Sequence, residues 1–324
     1  MVKKTMGIDV DSKELNVCVM RDENRANAIW KEVKNDKEDF NKVLELLNQE
    51  QVEIVLMEAS GGYEQKIALF LAQKGAKVMV INPVQVRHFA RGIGLKCKND
   101  KTDAYVLGRM AQVIEVKSER QTSPRQIELK QLVVRRCQIA EYIAVQKKLL
   151  IKAESEALKS IQRHIEFLSE EQAKLEALIN KIISQDAVMT KKKNVLTKVK
   201  GVGAVTAASL IALLPELGYI GNKQISHLVG LAPMDHDSGD RKGKRFISGG
   251  RPRVRKALFM PALVAIQRDP GMNAVYQRFV KAGKPKKVAI IAIMRKLIIR
   301  LNATYRKHLK TQNISAPIKN EKFP

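Results

Sequence analysis

The chain has 324 residues, a formal net charge of +26 and an isoelectric point near 10.0. That excess favours a polyanionic partner, nucleic acid first and an anionic membrane surface second. No apolar run reaches the roughly 18 residues that span a bilayer, and the basic start meets Asp9 before any signal-like apolar stretch forms.

Cys18, Cys97 and Cys137 are scattered without metal-type spacing and read as reduced thiols of a cytoplasmic protein. The charge is divided unevenly. Residues 1–190 hold 31 Lys/Arg against 27 Asp/Glu, whereas residues 191–324 hold 28 against 6. Chemistry is therefore expected in the first part and polyanion binding mainly in the second.

Strands are expected at Thr5–Val10, Leu15–Met20 and Ala26–Lys34, then a helix over Lys37–Gln49 with apolar spacing at Phe40, Val43, Leu44 and Leu47. Asp9 lies inside the first apolar run, where a carboxylate is costly unless paired or metal-bound. Facing water at a strand end is the plainer alternative. Val52–Met57 reads as a buried strand that delivers Glu58 to its carboxyl end, just before the turn Ser60-Gly-Gly62. In open α/β sheets that edge is where ligands bind. A helix over Glu64–Lys74, a strand over Lys77–Ile81 and a short helix over Val86–Ile93 follow. Asp100 and Asp103 then share one face of a helix start, where two carboxylates repel unless a cation sits between them. An isolated pair of this kind is more simply a cap and a solvated acid; Asp9 and Glu58 upstream change that balance. Four acids, if brought to one sheet edge, would suit Mg²⁺ or Mn²⁺.

From Gln126 to Lys200 there is no Gly or Pro, and apolar residues recur at helical spacing. Two long helices forming an antiparallel coiled-coil arm are expected. Gly201-Val-Gly203 before the apolar stretch Ala204–Leu214 has the helix-hairpin-helix pattern, in which Lys200, Gly201 and Gly203 would approach a phosphate. An ordinary turn between packed helices is the competing reading. A small helix ends at Pro233. The basic loop that follows carries Arg241, Lys242, Lys244, Arg245, Arg251, Arg253, Arg255 and Lys256, expected to meet phosphate backbone. One helix over Val254–Gln267 and another over Val288–Leu301 come next, and the tail after Lys310 is expected to be disordered.

The order of elements and acids in the first part resembles the ribonuclease-H-like fold in its RuvC-like branch. Gly7-Ile-Asp-Val-Asp-Ser-Lys13, Met57-Glu-Ala-Ser-Gly-Gly-Tyr63, Asn82-Pro83 and Asp100-Lys-Thr-Asp103 resemble the DEDD motifs of an insertion-sequence transposase family. That family includes the Piv pilin-gene invertases and the bridge-RNA-guided recombinases. Gly201-Val-Gly203, Gly230-Leu-Ala-Pro233, Asp237-Ser-Gly239 and Arg255-Lys-Ala-Leu-Phe-Met-Pro-Ala262 resemble its transposase domain.

The resemblance implies a RuvC-like catalytic domain over 1–122, a helical arm over 123–190, a mostly α transposase domain over 191–310 and a tail over 311–324. It implies that Asp9, Glu58, Asp100 and Asp103 hold Mg²⁺ or Mn²⁺ and that Ser238 is the nucleophile of a phosphoserine intermediate. It further implies element-end and target DNA as substrates, a structured noncoding bridge RNA, homodimers pairing into a tetramer, composite sites shared between protomers, and a prokaryotic cytoplasmic or nucleoid location without a membrane. Two readings stand beside it. A metal-dependent junction resolvase would hydrolyse DNA with the four acids alone. A non-catalytic architectural protein would use only the helix-hairpin-helix.

Overall fold

The computed structural model describes residues 3–95, 99–114, 123–235, 237, 243 and 245–312. The chain divides into two compact units, Met1–Gln121 and Thr122–Pro324.

The first unit is built on a five-stranded sheet. β1 (Thr5–Val10), β2 (Glu14–Met20) and β3 (Ile29–Lys34) form an antiparallel meander. After α1 (Lys37–Gln49), β4 (Ile54–Glu58) pairs parallel to β1; after α2 (Glu64–Gln73), β5 (Val78–Ile81) pairs parallel to β4. The order is therefore β3-β2-β1-β4-β5, with α3 (Pro83–Gly92) and α4 (Asp100–Val113) completing the unit. This mixed sheet with helical cover is a ribonuclease-H-like core.

Alternation along β1 explains its two faces. Met6, Ile8 and Val10 are buried with Phe40, Val43 and Leu47 of α1. Thr5, Gly7 and Asp9 face the other way, toward α4. There the Thr5 hydroxyl donates to the Gly108 carbonyl at 2.7 Å. A Cβ at Gly7 would come 2.1 Å from the Ala104 carbonyl oxygen and 2.4 Å from the Gly108 nitrogen. Only glycine lets the helix lie this close to the strand.

The expected third strand begins later than its composition suggests. Asn24 accepts from the Ala26 backbone N–H and starts a 3₁₀ turn, Arg25–Asn27, so β3 opens only at Ile29.

Among its described residues the second unit is helical apart from one small ladder. α5 (Pro124–Leu150) and α6 (Ser155–Ser184) pack on one another, and α7 (Ala187–Thr197) follows. Three helices thus replace the two expected, because Asp186 caps a new one: its carboxylate accepts from the backbone N–H groups of Val188 and Met189, each at 2.9 Å. The arm is also continuous with the core of this unit, since Leu129, Val133, Ile179, Ile182 and Ile183 belong to it.

α8 (Ala204–Leu213), α9 (Asn222–Leu228), α10 (Pro252–Ala257), α11 (Phe259–Arg268) and α12 (Pro270–Lys281) follow; α8 packs on α10, while α7, α9, α11 and α12 pack on α13 (Lys286–Thr311). The single helix expected over Val254–Gln267 is two, α10 and α11, meeting at Leu258. Pro261 has no N–H to donate to the preceding turn. α13 runs well past Leu301, since Asn302, Tyr305 and Leu309 continue its buried face. Buried Asn302 accepts from the Gly218 N–H at 2.7 Å and donates to the Ile220 carbonyl at 2.9 Å, pinning the α8–α9 connection. The expected disorder of the tail concerns mainly residues 313–324, which lie outside the described residues. No helix among the described residues is long and apolar enough to cross a membrane.

Candidate active site and nucleic-acid interface

Register brings the acids of the first unit to one edge. Gly7 pairs with Leu56 across β1 and β4, so Asp9 and Glu58, each two residues further along, leave on the face that α4 covers. α4 runs against β1 in the opposite sense, Gly108 near Thr5 and Ala104 near Gly7. Its first turn therefore reaches the carboxyl end of β1. Asn99 caps that turn, accepting from the Thr102 N–H at 2.7 Å. Asp100 and Asp103 both lie in the first turn, where the helix dipole favours carboxylates.

The electrostatics record the convergence. The Asp9 carboxyl is pushed up from 3.8 to about 6, first by burial and then by the charges of Asp103, Asp100 and Glu58; a hydrogen bond from the Val10 backbone opposes the rise. Among the described residues no three acidic, His or Cys side chains stand close enough to hold an ion as placed. The four carboxylates still form a hard-oxygen donor set, and the charges of the other three act to raise Asp9. That chemistry fits a divalent cation, which would favour the ionised form of Asp9.

Two residues that sequence reasoning missed hold the strand-end loops. Buried Glu64 accepts from the Ser60 and Gly62 N–H groups, at 3.1 and 2.8 Å, and from the Ser60 hydroxyl at 3.1 Å. It shapes the turn directly after Glu58. An acid opening a helix behind Ser-Gly-Gly was the available signal. Asn35 donates to the Asp11 carbonyl at 2.8 Å and the Tyr63 carbonyl at 3.4 Å, tying the loops that follow β1 and β4. No local pattern announces it.

In the second unit, Gly201 has φ +93°, and a Cβ there would come 2.6 Å from the Pro261 carbonyl oxygen. It is needed for the turn and for contact with α11. Gly203 caps α8 with open space around it, and Lys200 beside it is exposed. The turn thus leaves the α8 N-terminus accessible, as phosphate contact requires.

The basic set divides by what each cation touches. The Arg251 guanidinium engages both Glu216 oxygens, at 2.7 and 2.5 Å, and the Leu213 carbonyl at 3.0 Å. Arg255 donates to the Val229, Gly230 and Gly249 carbonyls at 3.2, 3.3 and 2.7 Å. Both bind protein as placed, where phosphate contact was expected. Lys256 pairs with Glu141 at 2.6 Å, Arg245 with Asp235 at 2.8 Å, and Arg253 is exposed. The loop between Met234 and Phe246 leaves and returns through the two-stranded ladder β6 (Pro233–Met234) and β7 (Phe246–Ile247). Ser238, Arg241, Lys242 and Lys244 lie on that loop, outside the described residues. Of the cysteines, Cys18 is buried with its thiol pushed up to about 12, Cys137 is half-buried, and Cys97 lies outside the described residues.

A family model for DEDD transposases of the IS110 type, described as a transposase, matches residues 6–153. A second, described as the transposase IS116/IS110/IS902 family, matches residues 193–277. The chain belongs to the IS110-type DEDD transposase family. It is related to the pilin gene-inverting proteins of Moraxella lacunata and Moraxella bovis, each 27% identical over 330 residues, covering 95% of this chain and 99% of theirs. An IS110 insertion-element protein of Streptomyces coelicolor is 28% identical over 149 residues, 45% of this chain and 36% of its own. RuvC of Thermus thermophilus, solved with a Holliday junction substrate, aligns over 33% of this chain and 90% of its own at 21% identity. Its TM-score of 0.26 adds nothing to the sheet order. This IS110-family chain is a DNA-acting transposase or recombinase.

Proposed function

We propose that this transposase cuts and rejoins DNA through a serine-linked intermediate, with Asp9, Glu58, Asp100 and Asp103 holding Mg²⁺ or Mn²⁺. The observation that carries the reading is the raised carboxyl of Asp9, lifted by burial and by all three other acids at one sheet edge. Four carboxylates gathered where they repel one another are poor structure and good ligation. A bound divalent ion would stabilise the charge that develops on the phosphate oxygens.

In the chemical step the Ser238 oxygen attacks a DNA phosphorus. The Ser238 O–P bond forms, the bond to one sugar oxygen breaks, the serine proton passes to solvent, and the departing sugar oxygen takes up a proton. Resealing reverses the exchange with a different sugar hydroxyl, so no external energy source is needed. Lys200, the Gly201-Val-Gly203 turn and exposed Arg253 would bind phosphate backbone. Arg241, Lys242, Lys244 and Arg245 of the Ser238 loop have the same role, whereas Arg251 and Arg255 hold the loop's foot and Lys256 lies beside it. Inversion or transposition of a defined segment follows the family, whose relatives are named for pilin-gene inversion. Guidance by a structured bridge RNA and assembly of dimers into a tetramer complete the reading. High charge with only 5% aromatic residues supports backbone contact with base pairing as the source of specificity. The domain limits read from the sequence, 1–122, 123–190, 191–310 and 311–324, belong to the same proposal.

The test incubates the full chain with element-end DNA, Mg²⁺ and any copurifying RNA, and compares it with Ser238→Ala and Asp100→Ala. A protein–DNA adduct that survives denaturation, and disappears in both variants, is expected. Free cut ends produced equally by Ser238→Ala but not by Asp100→Ala would replace the reading with a hydrolytic resolvase. DNA binding without cleavage under any condition would favour an architectural protein.

A further inference from the structure

Beside Asp100, on the face of the sheet that carries Asp9, lies a cleft of about 320 Å³. Glu14, Asn16, Arg25, Glu32, Asn99 and Lys101 line it together with Asp100. Register explains its floor: Asn16 is the cross-strand partner of Asp9 on one side and of Glu32 on the other, and Glu14 shares their face two residues away. Its wall is Arg25, whose guanidinium lies 4.9 Å from the Tyr105 ring centre and 5.8 Å from that of Trp30. The two rings stack on each other at 6.5 Å. The Asn99 side-chain oxygen already accepts from the Thr102 N–H, so its amide N–H₂ is what it offers the cleft.

This lining selects a ligand. Glu14 and Glu32 can only accept hydrogen bonds, and with Asp100 the carboxylates of the lining outnumber its cations, Arg25 and Lys101, which disfavours a phosphate. An uncharged planar group with N–H donors is the complement. Cytosine, adenine and guanine each present an exocyclic amine; thymine does not. A guanidinium backed by aromatic rings is a stacking surface for such a base. A base within a duplex has both faces stacked on its neighbours, so an occupant that stacks on Arg25 must be out of the duplex. Asp100 lines the cleft, and Asn16 on its floor pairs across the strands with Asp9, so the cleft adjoins the acids.

We infer that this cleft binds an unpaired, amine-bearing base of the DNA strand being cut. The inference rests on the reading of Asp100 as part of the cutting site.

Trp30 is the chain's single tryptophan and stands against Arg25, so its emission reports from this place alone. The full chain is titrated without metal with short single-stranded DNAs that differ at one central position: cytosine, adenine, guanine, thymine or no base. The Trp30 response should reach half-saturation at concentrations at least about tenfold lower for the amine-bearing bases than for thymine or the abasic strand. Glu32→Gln and Glu14→Gln exchange an acceptor for a group that also donates. They should erase that preference, and both positions are exposed, so the fold is kept. Unchanged far-ultraviolet dichroism checks this. Equal responses for every central base, a preference indifferent to both variants, or no Trp30 response to any strand would overturn the inference. RNA strands of the same sequence that outcompete DNA would overturn the assignment to DNA. Since binding is read without metal or cleavage, a failure of adduct formation bears on the cutting mechanism and leaves this result separate.

Discussion

Residues 1–121 carry 20 Lys/Arg against 18 Asp/Glu, while residues 122–324 carry 39 against 15. The near-neutral unit brings four carboxylates together from two strands and a helix start, and the cationic unit is helical. The charged groups that shift Asp9 are all carboxylates, and their repulsion raises it. A cation-rich surround would quench that repulsion and would compete with a metal ion. In the second unit cations are plentiful enough that Arg251 and Arg255 can be used as fasteners of protein to protein.

The first effect is on chemistry. Asp100→Ala or Asp103→Ala should lower recombination by about a thousandfold or more while DNA affinity changes less than about twofold. Lys200→Ala should do the opposite, weakening DNA binding and reducing its salt slope by about one, measured by titration at several salt concentrations. If the acid variants lose DNA binding as strongly as Lys200→Ala does, the division of labour fails.

The next effect is on stability. Gly7→Val forces a Cβ into the α4 backbone and should destabilise the first unit by at least about 3 kcal/mol. Thermal unfolding should then show an early transition confined to the sheet unit, with the helical unit melting as before.

A smaller effect has a definite pH dependence. The Asp9 pKa is raised on folding from 3.8 to about 6, so the folded state holds the proton more tightly than the unfolded chain. Its contribution is favourable below pH 3.8 and is lost as pH rises through about 6. Asp9→Asn should therefore stabilise the metal-free chain at pH 8 by about 1–2 kcal/mol, discounted for partial solvent screening, with the gain gone below pH 4. Mg²⁺ should raise the melting temperature of the wild type more than that of this variant. Denaturant midpoints at pH 4 and 8 test it. Smallest is Glu64→Gln, which weakens the bonds to Ser60 and Gly62 and should cost about 1 kcal/mol, with a larger loss of activity than of DNA affinity.

Much of this was legible in the chain. β1 and α1 were bounded correctly because alternation in one and a capped apolar stripe in the other are local signals. Helix boundaries set by a single cap were not: Asp186 looks like any polar residue until its carboxylate is seen on two backbone N–H groups. The proximity of the four acids was expected from their order along the chain, and the charges of Asp103, Asp100 and Glu58 do act on Asp9. What holds them was hidden, because Gly7 against Ala104 and Gly108, and Asn35 against Asp11 and Tyr63, depend on segments far apart in sequence. The phosphate role expected of Arg251 and Arg255 overlooked carboxylate and carbonyl partners that only the folded helical unit supplies.

The facing side of α6 has a consequence for how this family can vary. Leu158, Ile161, Ile165, Leu168, Gln172, Leu175, Ile179 and Ile182, all buried or half-buried, step alternately by three and four residues. That seven-residue rhythm keeps one stripe against α5. Adding or removing a single residue within it would swing every later position by about 100° and turn the stripe outward. Adding seven residues to each helix would preserve the match and extend the pair by about 10 Å. The arm is thus a ruler with coarse graduations: insertions and deletions in working relatives should fall in matched multiples of seven, and its reach should change in jumps.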